Sequence, residues 1–506
     1  MGLQDFTIYD VINRNAICFR HRPAWFDVSD GRSLTFGEIK EMVDRLSTGL
    51  HLAGLNKGDR IGVLGKNSLE YFLVLGAASA LGAIALTINW RLSSDEVEYA
   101  IKDCEPRFLF VDQEFQGIVE ELKGRFSFSE KYYNLRADKG SFSPFASVLD
   151  NPGDFRPPEV TTDDGIIIIH TAAVTGKPKG VLLSHGNILC TEAHLGYSLQ
   201  VTPEDVHLNI LPLFHVGGLT MAWMAFHAGC LNVNVDAFDA EQAIQLIEKK
   251  KVSIFCEFPP ILASILDQQE KTAANIMSLR TVIGLDNPET IARYQELTEG
   301  IFWVIYGQTE TASEITIGRY NDRPGSAGRP LPLSNIRIVD NYDREVPDGH
   351  EGEIIVRGPM VFKEYWNLPE DTAYAFRGGW HHTGDFARFD DDGYMWYVGR
   401  KEEKELIKPG GENVYPAEVE KTILEHPAVA KTVVFGVLDQ KWGEAVMAVC
   451  QLKEGEGLDA QELIDFVAQR LARYKKPKDV IFVENLPLLD NGSPDRAKVK
   501  EMYAQK

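Results

Sequence analysis

The stretch IIIIHTAAVTGKPKGVLLSHGNIL, residues 166–189, joins a run of four isoleucines to a loop with two glycines and two lysines. The loop is not a Walker-type P-loop, because Gly176 and Lys177 are followed by proline in place of Ser or Thr. Exposed backbone N–H groups beside a lysine can still form a nest for phosphate oxygens. Residues 172–174 (Ala-Ala-Val) stand where small hydroxyl side chains and glycine are expected. The loop therefore keeps its backbone donors and lacks side-chain hydrogen bonds to phosphate.

This strand and loop lie within a long alternation of helical and strand-like segments, from about residue 33 to residue 340. The apolar strands include RIGVLG (60–65), RFLFVD (107–112), VSIFCEF (252–258) and FWVIYG (302–307). Such alternation favours an α/β architecture with largely parallel, buried sheets. Residues 334–400 change to short strands separated by Asp-Gly turns, which predicts antiparallel pairing.

A second domain is expected after Arg400. The charge-dense stretch KEEKELIKPGGENVYP (401–416) is followed by a helix, two strands and a helix over residues 417–474. About a hundred residues with their own pattern are enough for a separate small domain. We therefore expect an N-terminal domain over residues 1–400, a hinge over 401–405 and a C-terminal domain over 406–506.

The segment YFLVLGAASALGAIALTI (71–88) contains no charge and approaches the length of a membrane span. It is rich in Ala and Gly, and Gly82 divides it. We interpret it as a buried helix ending near Leu81 and a buried strand from Ala83 to Ile88, so no stable membrane insertion is expected.

Composition excludes several classes of protein. The formal net charge is −22 with no long basic run, which argues against a nucleic-acid partner. The six cysteines are scattered without a CxxC pair, so neither a zinc site nor a disulfide framework is expected. Reduced thiols and the absence of a secretion-signal layout at the N-terminus favour a cytoplasmic protein. We expect a monomer or homodimer.

Seven motifs occur in order along nearly the whole chain: TGKPKG (175–180), LPLFHVGGL (211–219), YGQTE (306–310), GSAGRPLP (325–332), GEIIVRGP (352–359), WHHTGDFARFDDDGYMWYVGR (380–400) and KPGGENVYPAEVE (408–420). Together they resemble the motifs of the adenylate-forming superfamily, which contains acyl-CoA synthetases, luciferases and peptide-synthetase adenylation domains. The resemblance implies an α/β fold with a large N-terminal domain of parallel-type αβαβα sheets and a small distorted antiparallel barrel. A mobile, small α+β C-terminal domain is expected to follow.

The resemblance also implies an ATP/AMP site, in which Tyr306 stacks on adenine and Asp385 accepts hydrogen bonds from the ribose. The residues that it places around the nucleotide are Thr171, Thr175, Gly176, Lys179, Gly180, Tyr306, Gly307, Gln308, Thr309, Asp385 and Arg400. Glu310 is expected to hold Mg²⁺ through its hard carboxylate oxygens. The residues expected to be catalytic are Thr309, Glu310, Lys408 and Lys498.

A pocket for a small carboxylic acid is expected along residues 215–224, 256–260 and 284–290. Its named candidates are His215, Val216, Gly217, Gly284, Leu285 and Asp286. The candidates for binding coenzyme A are Gly410, Gly411, Glu412, Arg473, Lys475 and Lys476. Asp286 could bind a polar substrate group or cap a turn, and aromatic, cyclic, short-chain and medium-chain acids all remain open.

The implied activity is ATP-dependent ligation of an acid to a thiol. The carboxylate attacks the α-phosphorus of ATP, giving acyl-AMP and pyrophosphate, and the thiol of CoA then displaces AMP. The small domain is expected to rotate about the hinge between the two steps. Transfer to a carrier-protein pantetheine is the alternative within enzymes. A non-catalytic protein that binds nucleotide or acyl-CoA is the alternative from another class.

The chain departs from the family pattern near its C-terminal end. The family places a lysine after the glycine of a Leu-Pro-x-x-x-x-Gly-Lys pattern, whereas LPLLDNGSPDRAKVK places Ser493 there. Losing one such electrostatic contact typically costs about 10²- to 10³-fold in rate. Lys498 is the candidate substitute; slow adenylation, or a reaction that runs backwards to make ATP, is the other interpretation. Two extra residues after Arg400 leave Glu402 and Lys404 as alternative hinge residues.

Overall fold

The computed structural model describes residues 5–136, 140–154, 156–171, 178–400, 406–439, 442–489 and 493–504. Its strands are β1 (Pro23–Asp27), β2 (Ser33–Thr35), β3 (Arg60–Leu64), β4 (Ile84–Ile88), β5 (Phe108–Val111), β6 (Lys131–Asn134), β7 (Gly165–Thr171), β8 (Lys179–Ser184), β9 (Val206–Asn209), β10 (Leu231–Asn234), β11 (Ile254–Glu257), β12 (Thr281–Gly284), β13 (Ile301–Gln308), β14 (Ser313–Arg319), β15 (Arg329–Pro330), β16 (Asn335–Val339), β17 (Gly352–Arg357), β18 (Glu364–Tyr365), β19 (His381–Phe389), β20 (Met395–Arg400), β21 (Val429–Asp439), β22 (Gly443–Leu452) and β23 (Asp479–Val483). Its α-helices are α1 (Ile8–Cys18), α2 (Phe36–Leu52), α3 (Leu69–Leu81), α4 (Ser94–Cys104), α5 (Gln116–Leu122), α6 (His185–Ser198), α7 (Val216–Ala228), α8 (Ala240–Lys250), α9 (Ile261–Thr272), α10 (Pro288–Thr298), α11 (Pro369–Ala375), α12 (Pro416–Leu424), α13 (Ala460–Ala468) and α14 (Arg496–Tyr503).

Two large sheets form the N-terminal part. One has nine strands in the order β15-β14-β13-β12-β11-β9-β10-β1-β2, and the other has seven in the order β18-β8-β7-β4-β3-β5-β6. The central strands of both pair in parallel, and antiparallel pairs occur toward the edges. The predicted α/β architecture with largely parallel sheets is confirmed.

Buried helices connect the two sheets into one core. The largest hydrophobic cluster combines residues of α2, α3 and α7 with residues of β1, β3 and β7. Every residue of α3 is buried; Ser68 caps its N-terminus and Gly82, at φ 65°, ends it. Strand β4 follows, so the interpretation of residues 71–88 as a buried helix and strand is confirmed. Among the described residues, no helix is long and apolar enough to cross a membrane.

Residues 335–400 form an antiparallel sheet in the order β16-β17-β19-β20, as the turn pattern predicts. This four-stranded sheet stands where the small antiparallel barrel is expected. Its last strand ends at Arg400. The expected hinge (401–405), with both candidates Glu402 and Lys404, lies outside the described residues.

The C-terminal domain contains the predicted helix, two strands and helix as α12, β21, β22 and α13. Strands β21 and β22 are antiparallel, and β23 adds a parallel strand that the sequence pattern does not reveal. The second helix was predicted to reach Tyr474 but ends at Ala468. It is shorter because the following segment docks on the N-terminal domain, where the Ala472 N–H donates to Glu96 at 3.1 Å.

Candidate active site

Two cavities meet at the boundary between the N-terminal sheets and the C-terminal domain. The first has a volume of about 590 Å³ and the second of about 690 Å³. The residues that line both cavities are Leu285, Ile305, Tyr306, Gly307 and Lys408. Lys408 belongs to the C-terminal domain and the others follow or end β12 and β13. We call these five residues the shared wall.

A buried carboxylate pairs with two side chains, Tyr306 and Arg400, that line the second cavity. Asp385 on β19 is 0% exposed and accepts hydrogen bonds from the Tyr306 hydroxyl at 2.7 Å and from Gln308 Nε2 at 2.5 Å. Arg400 lies opposite Asp385 in the antiparallel ladder and forms an ion pair with it. Burial lowers the pKa of Arg400, but the Asp385 carboxylate and the neighbouring tyrosines together outweigh burial and raise it, so the guanidinium stays charged. The structure thus brings four of the predicted nucleotide residues together.

The hairpin of β13 and β14 positions the YGQTE segment. The register shifts between Tyr306 and Gly307, where a bulge forms. A Cβ atom on residue 307 would lie 1.9 Å from the carbonyl oxygen of Ser313, so only glycine fits this close approach. The bulge holds Tyr306 on the shared wall, and the following turn places Thr309 on the first cavity.

Glu310 and Lys179 both lie against the same tyrosine, Tyr365. The Tyr365 hydroxyl donates to Glu310 Oε1 at 2.9 Å. The Lys179 ammonium lies 4.9 Å from the centroid of the Tyr365 ring and forms an ion pair with Asp371. The two side chains that the sequence assigns to the phosphate side are therefore close together. Their contacts with Tyr365 and Asp371 were not predicted from the sequence.

The ends of the phosphate loop are held by a β-hairpin. Thr171 on β7 pairs with Lys179 on β8. Gly180 lies so close to Trp366 that a Cβ atom would come within 3.2 Å of its side chain. The loop between them, with Thr175 and Gly176, lies outside the described residues.

The KPGGEN loop of the C-terminal domain enters the first cavity. Lys408, Gly410 and Gly411 all line this cavity. Gly410 and Gly411 have φ values of 59° and 83°, and a Cβ atom on them would come within 2.9 Å of Trp442 and 3.3 Å of Phe258, respectively. Burial lowers the pKa of the Lys408 ammonium, and the Arg400 guanidinium lowers it further. Two glycines let the loop pass between aromatic rings of the two domains.

Glu412 anchors this loop to the N-terminal domain. Its carboxylate is 7% exposed, lies 3.2 Å from His215 Nε2 and forms an ion pair with Arg91. Burial alone would raise the pKa of Glu412, but His215 and Arg91 lower it to about 2. Glu412 was predicted to bind CoA; in this arrangement it joins the two domains.

The chain matches the family model described as AMP-binding enzyme over residues 12–366, and the model described as AMP-binding enzyme C-terminal domain over residues 418–493. The chain is an AMP-binding enzyme. The predicted membership of the adenylate-forming superfamily is confirmed.

Relatives align with this AMP-binding enzyme over nearly their whole length. The indoleacetate–CoA ligase of Aromatoleum aromaticum is 34% identical over 483 residues, which cover 94% of each chain. The fatty acid–[acyl-carrier-protein] ligase ScoC of Streptomyces coeruleorubidus is 33% identical over 94% of this chain and 92% of its own. A solved structure of o-succinylbenzoate CoA synthetase from Bacillus subtilis, bound with a product analogue, is 28% identical with a TM-score of 0.85 over 98% of each chain.

The structure places only part of the predicted pocket wall on the first cavity. His215, Val216 and Gly217 line the first cavity, as do the predicted residues 258–260. Leu285 lies on the shared wall, whereas Gly284 and Asp286 line neither cavity. A Cβ atom on Gly284 would lie 2.0 Å from the Glu257 carbonyl oxygen, so this glycine serves the close approach of two strands.

Asp286 belongs to a turn. One of its carboxylate oxygens accepts from the backbone N–H of Asn287, the N-cap of α10, at 2.7 Å. Burial raises the pKa of Asp286 to about 6. Of the two interpretations that the sequence leaves open, the turn contact is the one that the structure contains.

Lys475 is a correction to the predicted CoA cluster. Its ammonium is buried between Glu96 at 2.6 Å and Glu418 at 2.8 Å, so it joins the domains and cannot meet a CoA phosphate in this arrangement. Burial lowers the pKa of Lys475, but the two carboxylates outweigh burial and raise it. Arg473 is exposed and Lys476 is half-buried, which leaves them as the candidates from this cluster.

Lys498, which was expected to be catalytic, lies outside both cavities in this arrangement of the domains. It lies on the exposed face of α14, and its backbone N–H donates to the N-cap residue Asp495 at 3.1 Å. Neither cavity includes Lys498 or Ser493 in its described lining. Arg496 and Lys500, which the sequence prediction missed, line the second cavity instead. Their spacing of four residues on one helix was the available signal.

Proposed function

We propose that this enzyme uses ATP to activate a carboxylic acid as an acyl-adenylate and then transfers the acyl group to CoA, releasing AMP and pyrophosphate. The shared wall carries the proposal. It separates a cavity lined by Arg400, which pairs with the buried Asp385, from a cavity lined by His215 and apolar side chains. A nucleotide in the second cavity and an acid in the first would meet at Tyr306 and Lys408.

The proposed roles in nucleotide binding follow from the cluster of Tyr306, Gln308, Asp385 and Arg400. Tyr306 offers an aromatic face for adenine, and its hydroxyl is fixed by Asp385. The Asp385 carboxylate, which pairs with Arg400, can accept hydrogen bonds from two ribose hydroxyls. Thr309 is the proposed donor to the α-phosphate. Attack of the acid on α-phosphorus then depends on positioning and charge neutralisation, which supply most of the rate in phosphoryl transfer.

Glu310 and Lys179 are proposed to serve the β- and γ-phosphates. Magnesium is commonly bound by one or two carboxylates together with substrate phosphates, so the single carboxylate of Glu310 suits it. Tyr365 occupies only Oε1 of this carboxylate, which fits a second oxygen directed to the ion. Bound Mg²⁺ would neutralise charge on the pyrophosphate leaving group. Lys179 would exchange Asp371 for a phosphate.

The observed arrangement of the domains suits the second half-reaction. Lys408 lies on the shared wall, where its ammonium can stabilise the negative charge that forms when the thiol adds to the acyl carbonyl. This addition forms the C–S bond. The bond from the carbonyl carbon to the AMP oxygen then breaks and AMP leaves. Gly410 and Gly411, which leave no side chain beside the loop, are proposed to admit the pantetheine arm.

The first half-reaction requires a different arrangement, because the segment around Ser493 lies outside both cavities. We propose that rotation about residues 401–405 exchanges the KPGGEN loop for this segment. Ser493 supplies no positive charge, so adenylation is expected to be the slower half-reaction. A physiological direction that makes ATP from acyl-CoA is compatible with this order.

A carrier-protein pantetheine is the second candidate acceptor. A relative that is 33% identical is a fatty acid–[acyl-carrier-protein] ligase. CoA and such carriers present the same pantetheine thiol, so the KPGGEN loop can serve either. We favour free CoA because Arg473 and Lys476 are candidate partners for its phosphates.

We also propose a reducing, cytoplasmic setting. All six cysteines are unpaired, and five of them are buried. Free buried thiols are typical of cytoplasmic proteins.

One assay tests the proposal. The protein is incubated with ATP, Mg²⁺, CoA and a panel of carboxylic acids, and AMP and thioester are measured separately. Thioester with equimolar AMP supports the proposal. Acyl-AMP without CoA turnover, followed by transfer to a phosphopantetheine carrier protein, supports the second candidate. Nucleotide binding without turnover of any acid in either direction would favour a non-catalytic binding protein.

A further inference from the structure

A buried carboxylate lies on the wall of the acid cavity. Glu314, on β14, lines the first cavity and is 4% exposed. It pairs across the antiparallel ladder with Gly307 of the shared wall. Most of the surrounding lining is apolar, including Ile210, Leu211 and Phe258. A carboxylate at this place was not predicted from the sequence, because a single Glu in a strand usually faces solvent.

Glu314 is only partly satisfied. The Ser313 hydroxyl and the backbone N–H of Glu314 itself act on the carboxylate, but Oε2 is buried with no hydrogen-bond partner among the described residues. Burial raises the pKa of Glu314. An unmet hydrogen bond on a buried polar atom is costly, and native proteins usually avoid it. Oε2 has no surface open to the cavity, so a partner in the cavity reaches it only after the Glu314 side chain turns toward the lining.

Other buried carboxylates in this enzyme have structural partners or lie away from the cavity. Glu192 pairs with His227 at 2.8 Å, and Glu70 pairs with Arg32 at 2.6 Å. Glu257 has two unpartnered oxygens, yet it does not line either cavity among the described residues. Glu314 alone of these four combines an unpartnered oxygen with a place on the cavity wall.

The reacting carboxylate of the substrate is not this partner, because it must reach the α-phosphorus of ATP. We propose that the acid bound by this enzyme carries a second polar group, a hydroxyl or amino group that donates a hydrogen bond to Glu314. The rest of the acid contacts the apolar wall. This inference rests on the proposed function and names its substrate class: apolar carboxylic acids with a hydrogen-bond donor.

Wild-type enzyme tests the inference without any mutation. Matched acids of similar size are compared by kcat/KM for thioester formation: 4-hydroxyphenylpropanoate with 4-methylphenylpropanoate, 4-aminobenzoate with 4-methylbenzoate, and 8-hydroxyoctanoate with nonanoate. A site built around a donor rejects analogues that lack it strongly, so the best donor-bearing acid should exceed its partner by about 100-fold or more. Turnover of several acids with no donor preference would overturn the inference and leave the proposed function standing.

Variants then locate the preference. Glu314→Met keeps the volume and removes the acceptor, so the ratio within the preferred pair should fall to within about tenfold of one, or reverse. Glu257→Gln is the matched control, because it alters a buried, unpartnered carboxyl on the same sheet outside the cavity lining, and it should leave the ratio unchanged. A ratio that persists in folded Glu314→Met, or that is lost equally in Glu257→Gln, contradicts the role of Glu314. Failure of every acid to turn over would instead reject the proposed function and the inference with it.

Discussion

Two segments of the C-terminal domain were expected to bring a lysine to the nucleotide, and the structure treats them differently. The loop of residues 408–412 enters the first cavity, where Lys408 lies on the shared wall and Glu412 is anchored to His215 and Arg91. The segment of residues 493–498 lies outside both described linings, and its Lys498 is exposed. One domain thus holds the parts for two steps but presents one set at a time.

This difference is what the proposed rotation of the small domain predicts. Acyl-AMP formation and thioester formation act on the same atoms yet need different groups beside them. The contacts of Glu412 and of Lys475 stabilise the arrangement for the second step. The first step requires these contacts to break, and Ser493 offers no charge in return. Four variants, each with a companion variant, test this difference between the two segments.

Asp385→Asn should have the largest effect, because both half-reactions use the same nucleotide site. Removing the charge that pairs with Arg400 should lower acid-dependent ATP–pyrophosphate exchange and thioester formation from acyl-AMP, each by about 10³-fold. Asp392→Asn, which changes an exposed acid in the turn between β19 and β20, is the control. Loss of only one half-reaction would show that the site is not common to both.

Lys408→Met should separate the two steps. Thioester formation from acyl-AMP should fall by about 10²-fold, whereas ATP–pyrophosphate exchange should change by less than about threefold. The exposed Lys453→Met in the same domain controls for loss of charge. An equal loss in both assays would place Lys408 in adenylation as well and contradict the comparison.

Ser493→Lys should act on the opposite side of the comparison. If rotation brings position 493 to the α-phosphate, the restored charge should speed ATP–pyrophosphate exchange by about tenfold or more and leave thioester formation from acyl-AMP unchanged. Lys498→Met tests in the same exchange assay whether Lys498 takes part in adenylation, and it should have no effect. If Ser493→Lys is silent, another cation holds the phosphate, and Arg496 and Lys500 are the residues to change next.

Glu96→Gln should have the smallest effect, because Lys475 keeps its second partner Glu418. Weakening this contact between domains should slow thioester formation by about fivefold without slowing adenylation. Glu98→Gln is the matched control, because Glu98 lies two residues from Glu96 on α4 and pairs with Lys102 and Arg125 of the N-terminal domain. Equal effects of the two variants on thioester formation would count against a docking role for Glu96.

Much of the fold and of the nucleotide site could be predicted because local signals carry them. The alternation of apolar strands and helices marks the sheets. The uncharged residues 71–88 show a break at Gly82, where α3 ends. The YGQTE and TGD motifs mark Tyr306 near the end of β13 and Asp385 on β19, and the structure joins them at 2.7 Å.

What could not be predicted depends on contacts between distant residues. Lys475 resembles a solvated cation until Glu96, 379 residues away in the chain, is seen beside it. Helix α13 ends early because its continuation docks on α4. Lys498 and Lys500 differ only in the phase of α14, which the sequence alone did not fix.

An oxygen-labelling experiment tests whether the carboxylate attacks the α-phosphorus of ATP. The acid is supplied with ¹⁸O in both carboxylate oxygens, and AMP, pyrophosphate and thioester are analysed by mass spectrometry after one round of reaction. Attack of the carboxylate on the α-phosphorus predicts one ¹⁸O atom in the phosphate of AMP, one in the thioester carbonyl and none in pyrophosphate. AMP that carries no label, or label in pyrophosphate, would contradict an acyl-adenylate formed at the shared wall.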